Sequence, residues 1–139
     1  MDRGTLSISL SNDLREIAEV AERIDEFCAA CNVAHVAYAV NLSVEEILTN
    51  TISYGYDDEE PHRIDIRIRM DGSVLAVEII DDSIAFDPST VALPDTGAAL
   101  EDRAIGGLGL FLTNQMMDSV EFRRGDGCNV VAMTKETRS

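Results

Sequence analysis

RIDIRIRMDGSVLAVEIIDD, residues 63–82, contains one complete strand pattern, a turn and the start of another. Ile64, Ile66, Ile68 and Met70 alternate with charged residues, the period-two signature of a strand with one wet face. Asp71 and Gly72 then supply a two-residue hairpin turn, and SVLAVEII returns as a strand that is apolar on both faces except at Glu78. Such a strand is expected at the centre of a sheet. It stops at Asp81 and Asp82 and runs into SIAFDP, a polar, turn-rich exit.

Before this hairpin, the acidic loop DDEEPH (57–62) closes a helical pattern that runs from near Val33 to about Tyr54. Its apolar stripe is Val36, Val40, Val44, Ile47, Leu48 and Thr51. Asn50 falls at the margin of that stripe and Glu46 one step further out on the same side, so both can point into a cleft beside the core. An earlier helix, up to about Ala30, carries Leu14, Ile17, Val20, Ala21, Ile24, Phe27 and Cys28 on its apolar side, with Asn12 or Ser11 as N-cap. TLSISLS (5–11) alternates Leu6, Ile8 and Leu10 against polar residues and is expected as an edge strand.

After the hairpin, residues from about 88 to 105 have no sustained periodicity, which predicts a functional lid. IGGLGLFLTNQMMDSV (105–120) is a glycine cluster opening a helix with Leu108, Phe111, Leu112 and Met116 on its apolar side. SVEFRRGDGCNVVAMTK (119–135) is two strands joined by a Gly-Asp-Gly turn. Hairpins mixed with helices predict an α+β fold in one domain over residues 1–139, with helices packed on one face of a mixed, mostly antiparallel sheet.

Composition narrows the function. At 139 residues the chain can bury a core without disulfides or a structural metal. Twenty-six acidic against eleven basic residues give a formal charge of -15, which argues against a nucleic-acid partner. Any phosphate must then be met by backbone N–H groups or by few charges. Cys28, Cys31 and Cys128 are odd in number and no second pair matches the first, so neither a disulfide framework nor a zinc site is supported. The CxxC of Cys28 and Cys31 lies inside a helical pattern and reads as small apolar residues in packing, with redox or metal chemistry as the alternative. No signal-like segment opens the chain and no apolar run approaches the roughly 18 residues of a membrane span. A cytoplasmic protein without a membrane partner is expected.

Three polar groups sit at element boundaries: Glu46 with Asn50, Asp81 with the loop after it, and Gly106-Gly107-Leu108-Gly109. Each has a structural reading. Ser43-x-x-Glu46 matches a capping box, Asp81 and Asp82 can be solvated strand-end acids, and the glycines can simply permit a tight turn. Together, however, they complement one another. A glycine loop entering a helix presents free N–H groups and a positive dipole end, which hold phosphate without lysines. An amide oxygen such as that of Asn50 can ligate a phosphate-bound magnesium ion, and a nearby carboxylate such as Glu46 can accept a proton. A carboxylate ending a central strand, such as Asp81, can accept from an exocyclic amine and so tell adenine from guanine.

The order EEILTN, DDSIAFDP, GGLGLFLTNQMMDSVEF and GCNVV resembles the N box and glycine boxes of the histidine-kinase-like ATPases, the Bergerat fold of the GHKL superfamily. Within it the chain is most similar to bacterial anti-sigma factor serine/threonine kinases. That resemblance implies a two-layer α/β sandwich, ATP and Mg2+ as cofactors, Glu46 as general base, Asn50 as the magnesium ligand and Asp81 on the adenine amine. It assigns Ser83, Phe86, Arg103, Gly106, Gly107, Leu108, Gly109 and Leu110 to ATP binding. It further implies a sigma factor and a STAS-domain antagonist as partners, and a possible homodimer through the first strand and helix. The alternative is a nucleotide-sensing adaptor that transfers no phosphate. Ser83 stands where the family usually has glycine; if that position needs positive φ, serine is expected to be strained by about 1 kcal/mol and to alter the adenine pocket.

Overall fold

The computed structural model describes residues 4–54, 60–83, 113 and 115–138, and within it residues 63–82 form the hairpin that their alternation predicts. Its strands are β2 (Arg63–Asp71) and β3 (Val74–Asp81). Asp71 pairs with Val74, so the two loop residues are Gly72 and Ser73, one residue later than expected. The reason is local: Gly72 takes φ +62 at the first loop position, where a II′-type turn needs a left-handed residue. The second hairpin joins β4 (Ser119–Gly125) to β5 (Cys128–Glu136). Its loop residues Asp126 and Gly127 are both left-handed, φ 54 and 76, the I′ pattern that matches strand twist.

With β1 (Thr5–Ser11) the strands form one sheet in the order β1-β2-β3-β5-β4, and all four pairings are antiparallel. The parallel contribution expected of a mixed sheet is absent among the described strands. β3 is central and β1 an edge, as predicted. Ile8, Leu10, Ile64, Ile66, Ile68, Leu75, Val77, Ile79, Val131 and Met133 face one side and are buried with the helices. On the other face Val74, Ala76, Glu78 and Ile80 are only half-buried, so β3 is not enclosed on both sides as its composition suggested.

The helices α1 (Ile17–Ala30) and α2 (Ala37–Tyr54) close that core. Each is preceded by a single 3-10 turn, Leu14–Glu16 and Ala34–Val36. Asp13, rather than Asn12 or Ser11, caps the first turn by accepting from the Arg15 N–H at 2.9 Å. Asn12 instead accepts from the His62 N–H at 3.0 Å, tying the end of β1 to the entry of β2. Leu14, expected in the core, is 50% exposed because the 3-10 turn carries it off the helical stripe.

The Cys28-x-x-Cys31 pair has a structural explanation. Asn32 adopts φ 61, and the N–H groups of Val33 and Asn32 bond the carbonyls of Cys28 (2.7 Å) and Ala29 (3.1 Å). This is the two-bond αL ending of a helix, with buried Cys28 and Val33 as its apolar pair. Burial pushes the Cys28 thiol up to about 11, which disfavours the reactive thiolate.

Leu48 sits fully buried in the core shared by α2 and the sheet. Leu48→Ala is expected to cost about 2–5 kcal/mol. The urea midpoint reads this directly; a loss below about 1 kcal/mol would mean that α2 does not pack through this face.

Candidate active site

Glu46 and Asn50 lie one turn apart on α2, beside its buried stripe of Val40, Val44, Ile47 and Leu48, and both are half-buried. The capping-box reading fails, since Ser43 lies inside α2 rather than at its start. Its side chain is fully buried on the core side of the helix, and its hydroxyl has no hydrogen-bond partner among the described residues. Glu46 is therefore not held by a cap. Desolvation, followed by repulsion from Glu45, raises its carboxyl above the ordinary glutamate value. A raised carboxylate is a better proton acceptor near neutral pH than an exposed one. Among the described residues the buried Asn50 amide nitrogen has no hydrogen-bond partner. An unmet buried donor costs about 1–3 kcal/mol, so one end of this carboxamide is unused by the fold.

The sheet delivers Asp81 to the same end of the molecule. Ile52, near the end of α2, borders one surface cleft with Ser11, Asn12 and Pro61, at the end of the sheet where Ser11 pairs with Arg63. β3 stops at that end, with Ile80 opposite Asp65. The alternation Leu75, Val77, Ile79, Asp81 turns Asp81 toward the helical layer, where it is 3% exposed. Asp82, one residue on, points outward and meets His62 Nδ1 at 3.2 Å.

Around Asp81 is a network that sequence reading did not foresee. Oδ1 of Asp81 accepts from the Ser83 N–H at 2.9 Å, from the Ser83 hydroxyl, and from Asn129 Nδ2 at 3.2 Å. Asn129 Nδ2 also donates to Ser83 Oγ at 2.8 Å. Arg124 Nη1 donates to the Ser83 carbonyl at 2.9 Å and to Asn129 Oδ1 at 3.0 Å. Ser83 is not among the residues with positive φ, so the strain expected of serine at a glycine position does not arise. Its side chain instead joins the carboxylate it follows. A signal for Asn129 was present in GCNVVAMTK: it is a buried polar residue on the face that otherwise carries Val131 and Met133. Arg124 had none, since its partners come from two other strand ends.

The structure thus places Glu46 and Asn50 together on α2, and Asp81 and Ser83 together at the end of β3. Phe86, Arg103, Gly106, Gly107, Leu108, Gly109, Leu110 and the expected lid at 88–105 lie outside the described residues. Of the helix predicted after the glycines, Thr113, Gln115 and Met116 are helical, and the Met117 N–H bonds the Thr113 carbonyl at 3.0 Å. Among the described residues no three His, Cys, Asp or Glu side chains are grouped for a metal ion. A cation here would draw on Asn50 and on its own phosphate and water ligands, the usual manner for magnesium. The Asn50 carbonyl oxygen is the atom that would serve as ligand, while its orphaned nitrogen can only donate, to a phosphate or water oxygen. No helix among the described residues is long and apolar enough to cross a membrane.

Comparison with known proteins bears on the family and the fold. The family model of the histidine kinase-like ATPase domain matches residues 10–135. The serine/threonine-protein kinase BtrW of Bordetella bronchiseptica is 27% identical over 104 residues, covering 75% of this chain and 73% of that protein. The serine-protein kinase RsbW of Listeria monocytogenes is 33% identical over 100 residues, 69% of this chain and 63% of its own length. RsbW of Bacillus velezensis is 34% identical over 100 residues, 69% of this chain and 62% of its own. The match therefore spans less than two thirds of these RsbW proteins. In fold, the chain is similar to the crystal structure of the RsbU and RsbW domains of a Mycobacterium tuberculosis protein, with TM-score 0.69 and 15% identity over 95% of this chain and 31% of that one.

Proposed function

Because this chain belongs to the histidine kinase-like ATPase family, we propose that it is an ATP-dependent protein serine kinase that acts as an anti-sigma factor in a partner-switching system. Its phosphate acceptor in this reading is a serine on a STAS-domain antagonist, and its second partner a sigma factor in the cytoplasm. The observation that carries the reading is the pair on α2: a half-buried carboxylate with a raised pKa, one turn from a carboxamide whose buried nitrogen has no partner among the described residues and can donate to a phosphate oxygen. The kinase names of the relatives support the reaction type.

Asp81 receives the adenine amine on the carboxylate oxygen that the network leaves unbonded. Asn50 would hold Mg2+ through its side-chain carbonyl oxygen, and the ion would supply neutralisation of the phosphate charge. Glu46 takes the proton from the acceptor serine hydroxyl. That oxygen bonds to the γ-phosphorus as the bond to the β–γ bridging oxygen breaks, leaving ADP. In this reading the phosphates would fall to Gly106, Gly107, Leu108, Gly109 and Leu110, with Phe86, Arg103 and the segment 88–105 as further nucleotide contacts, all of them outside the described residues. The product antagonist then carries a dianion beside a chain of formal charge -15, which favours its release.

The test is to mix the protein with magnesium-ATP and each STAS-domain protein of its own genome and to read intact masses for an added phosphate, with Glu46→Ala as control. Phosphate that appears with the native chain and not with the variant establishes the kinase and its acceptor together. No phosphate on any candidate, with ATP still bound, would favour the adaptor that senses nucleotide without transferring phosphate.

A further inference from the structure

We propose that Asn129 and Arg124 set the purine specificity of this chain, by holding Asp81 with one carboxylate oxygen consumed and the other presented to a 6-amino group. The inference rests on the reading of Asp81 as the adenine contact and adds residues and a mechanism to it.

Oδ1 of Asp81 is saturated by three donors, from the Ser83 backbone, the Ser83 hydroxyl and Asn129. None of the hydrogen bonds among the described residues reaches Oδ2. A carboxylate can otherwise turn about its last torsion and exchange its oxygens, because that torsion is broad and two-fold. Here the turn would break three hydrogen bonds in a buried site. Oδ2 is therefore presented in one direction as an acceptor only.

The Asn129 amide could in principle be turned either way, and its surroundings decide the matter. A guanidinium can only donate, so the atom 3.0 Å from Arg124 must be the amide oxygen. The nitrogen then faces Asp81 and Ser83, where its contacts include a carboxylate oxygen. Arg124 thus works at one remove. From β4 it clamps the Ser83 carbonyl just beyond β3 and the Asn129 oxygen on β5, fixing the two elements that hold the carboxylate. Arg124 is an exposed residue of the sheet's edge strand, and Asn129 is buried.

The consequence is discrimination by the group at purine C6. A 6-amino purine donates to Oδ2. A 6-oxo purine brings lone pairs against a carboxylate whose two oxygens only accept, while the nearby donors, the Ser83 N–H and hydroxyl and the Asn129 amide, are committed to Oδ1. Sites built to pair one polar group reject the analogue lacking it far more strongly than apolar pockets reject a methylene. If Asn129 loses its amide or Arg124 its guanidinium, the network loosens and water can enter beside Asp81, where it can donate to a 6-oxo group. The ratio of affinities then falls more than the affinity for ATP itself.

The experiment measures Kd for ATP and for inosine triphosphate by calorimetry in the native chain, Asn129→Ala, Arg124→Ala and Arg124→Lys, with thermal melting of each. The expected native preference for ATP is at least 100-fold. Asn129→Ala should shrink it about tenfold and Arg124→Ala several-fold, while Arg124→Lys, which keeps one charged donor nitrogen, recovers part of the loss. Arg124→Ala lies on the exposed edge strand and keeps the test open should Asn129→Ala fail to fold. An unchanged preference in folded Arg124→Ala and Asn129→Ala, with ATP bound, would overturn the inference and leave the adenine reading of Asp81 standing. Equal native affinity for the two nucleotides, or none for ATP, would overturn both.

Discussion

Replacing Glu46 with glutamine is expected to slow phosphate transfer by roughly 100- to 10,000-fold, the range of a lost general base, while making the fold more stable at neutral pH. The two effects share one cause. In the folded chain the Glu46 carboxyl is desolvated and lies near Glu45, so its pKa is raised above the value it has when unfolded. The folded state then binds its proton more tightly than the unfolded state. Ionisation accordingly works against folding: the penalty is absent below the unfolded pKa and complete above the folded one. Glutamine removes it, so the variant should melt at a higher temperature than the native chain at pH 7 and lose that advantage in acid. Activity moves the opposite way, because the base must be ionised. The native rate should fall on acidification at a pH above the ordinary glutamate range, and the residual rate of Glu46→Gln should not show that limb. Stopped assays across pH with parallel melting curves check both. A variant that keeps its rate would remove Glu46 from the chemistry.

Asp81→Asn is expected to weaken ATP binding by roughly 10- to 150-fold, the equivalent of one charge-assisted hydrogen bond worth about 1.5–3 kcal/mol. The substitution conserves shape but not polarity. Oδ1 is ringed by the Ser83 N–H and the Asn129 amide, both donors, and Oδ2 is the oxygen offered to the adenine amine, a third. Whichever way the new amide turns, its NH2 group meets a donor. If it turns inward, the buried network is broken and stability falls; if outward, the nucleotide is repelled. Calorimetric titration with a nonhydrolysable ATP analogue distinguishes this from a change in transfer rate alone. Unaltered affinity would place the adenine elsewhere.

Much of the architecture could be read from local pattern. The strand of Ile64, Ile66 and Ile68, the helix of Val40, Val44, Ile47 and Leu48, and the edge strand of Ile8 and Leu10 all bury the faces that their periods predict. Glu46 and Asn50 were legible for the same reason, as polar residues four apart at the margin of an apolar stripe. Asp81 was legible as the acid ending a central strand. Errors arose where two short-range rules competed. Ser43 satisfied a capping motif but lies inside a longer helix, and Leu14 had helical spacing but belongs to the 3-10 turn before α1. Asp71 looked like a turn residue, yet pairing pushed the turn onto Gly72 and Ser73.

Periodicity, turn chemistry and charge are properties of neighbours along the chain, and from them alone followed the two hairpins, the two long helices, the buried face of each and the polar pair on α2. The surroundings of Asp81 belong to another level. Asp81 and Asn129 are 48 positions apart, and Arg124 reaches Ser83 across 41. They meet because β3 and β5 pair antiparallel with Asp81 opposite Asn129, and because β4 places Arg124 beside Asn129 in turn. Sheet order and register decided that serine at position 83 serves as a hydrogen-bond partner rather than a strained replacement for glycine. A hydrogen bond depends on where two atoms lie in space, and pairing between distant strands sets that position.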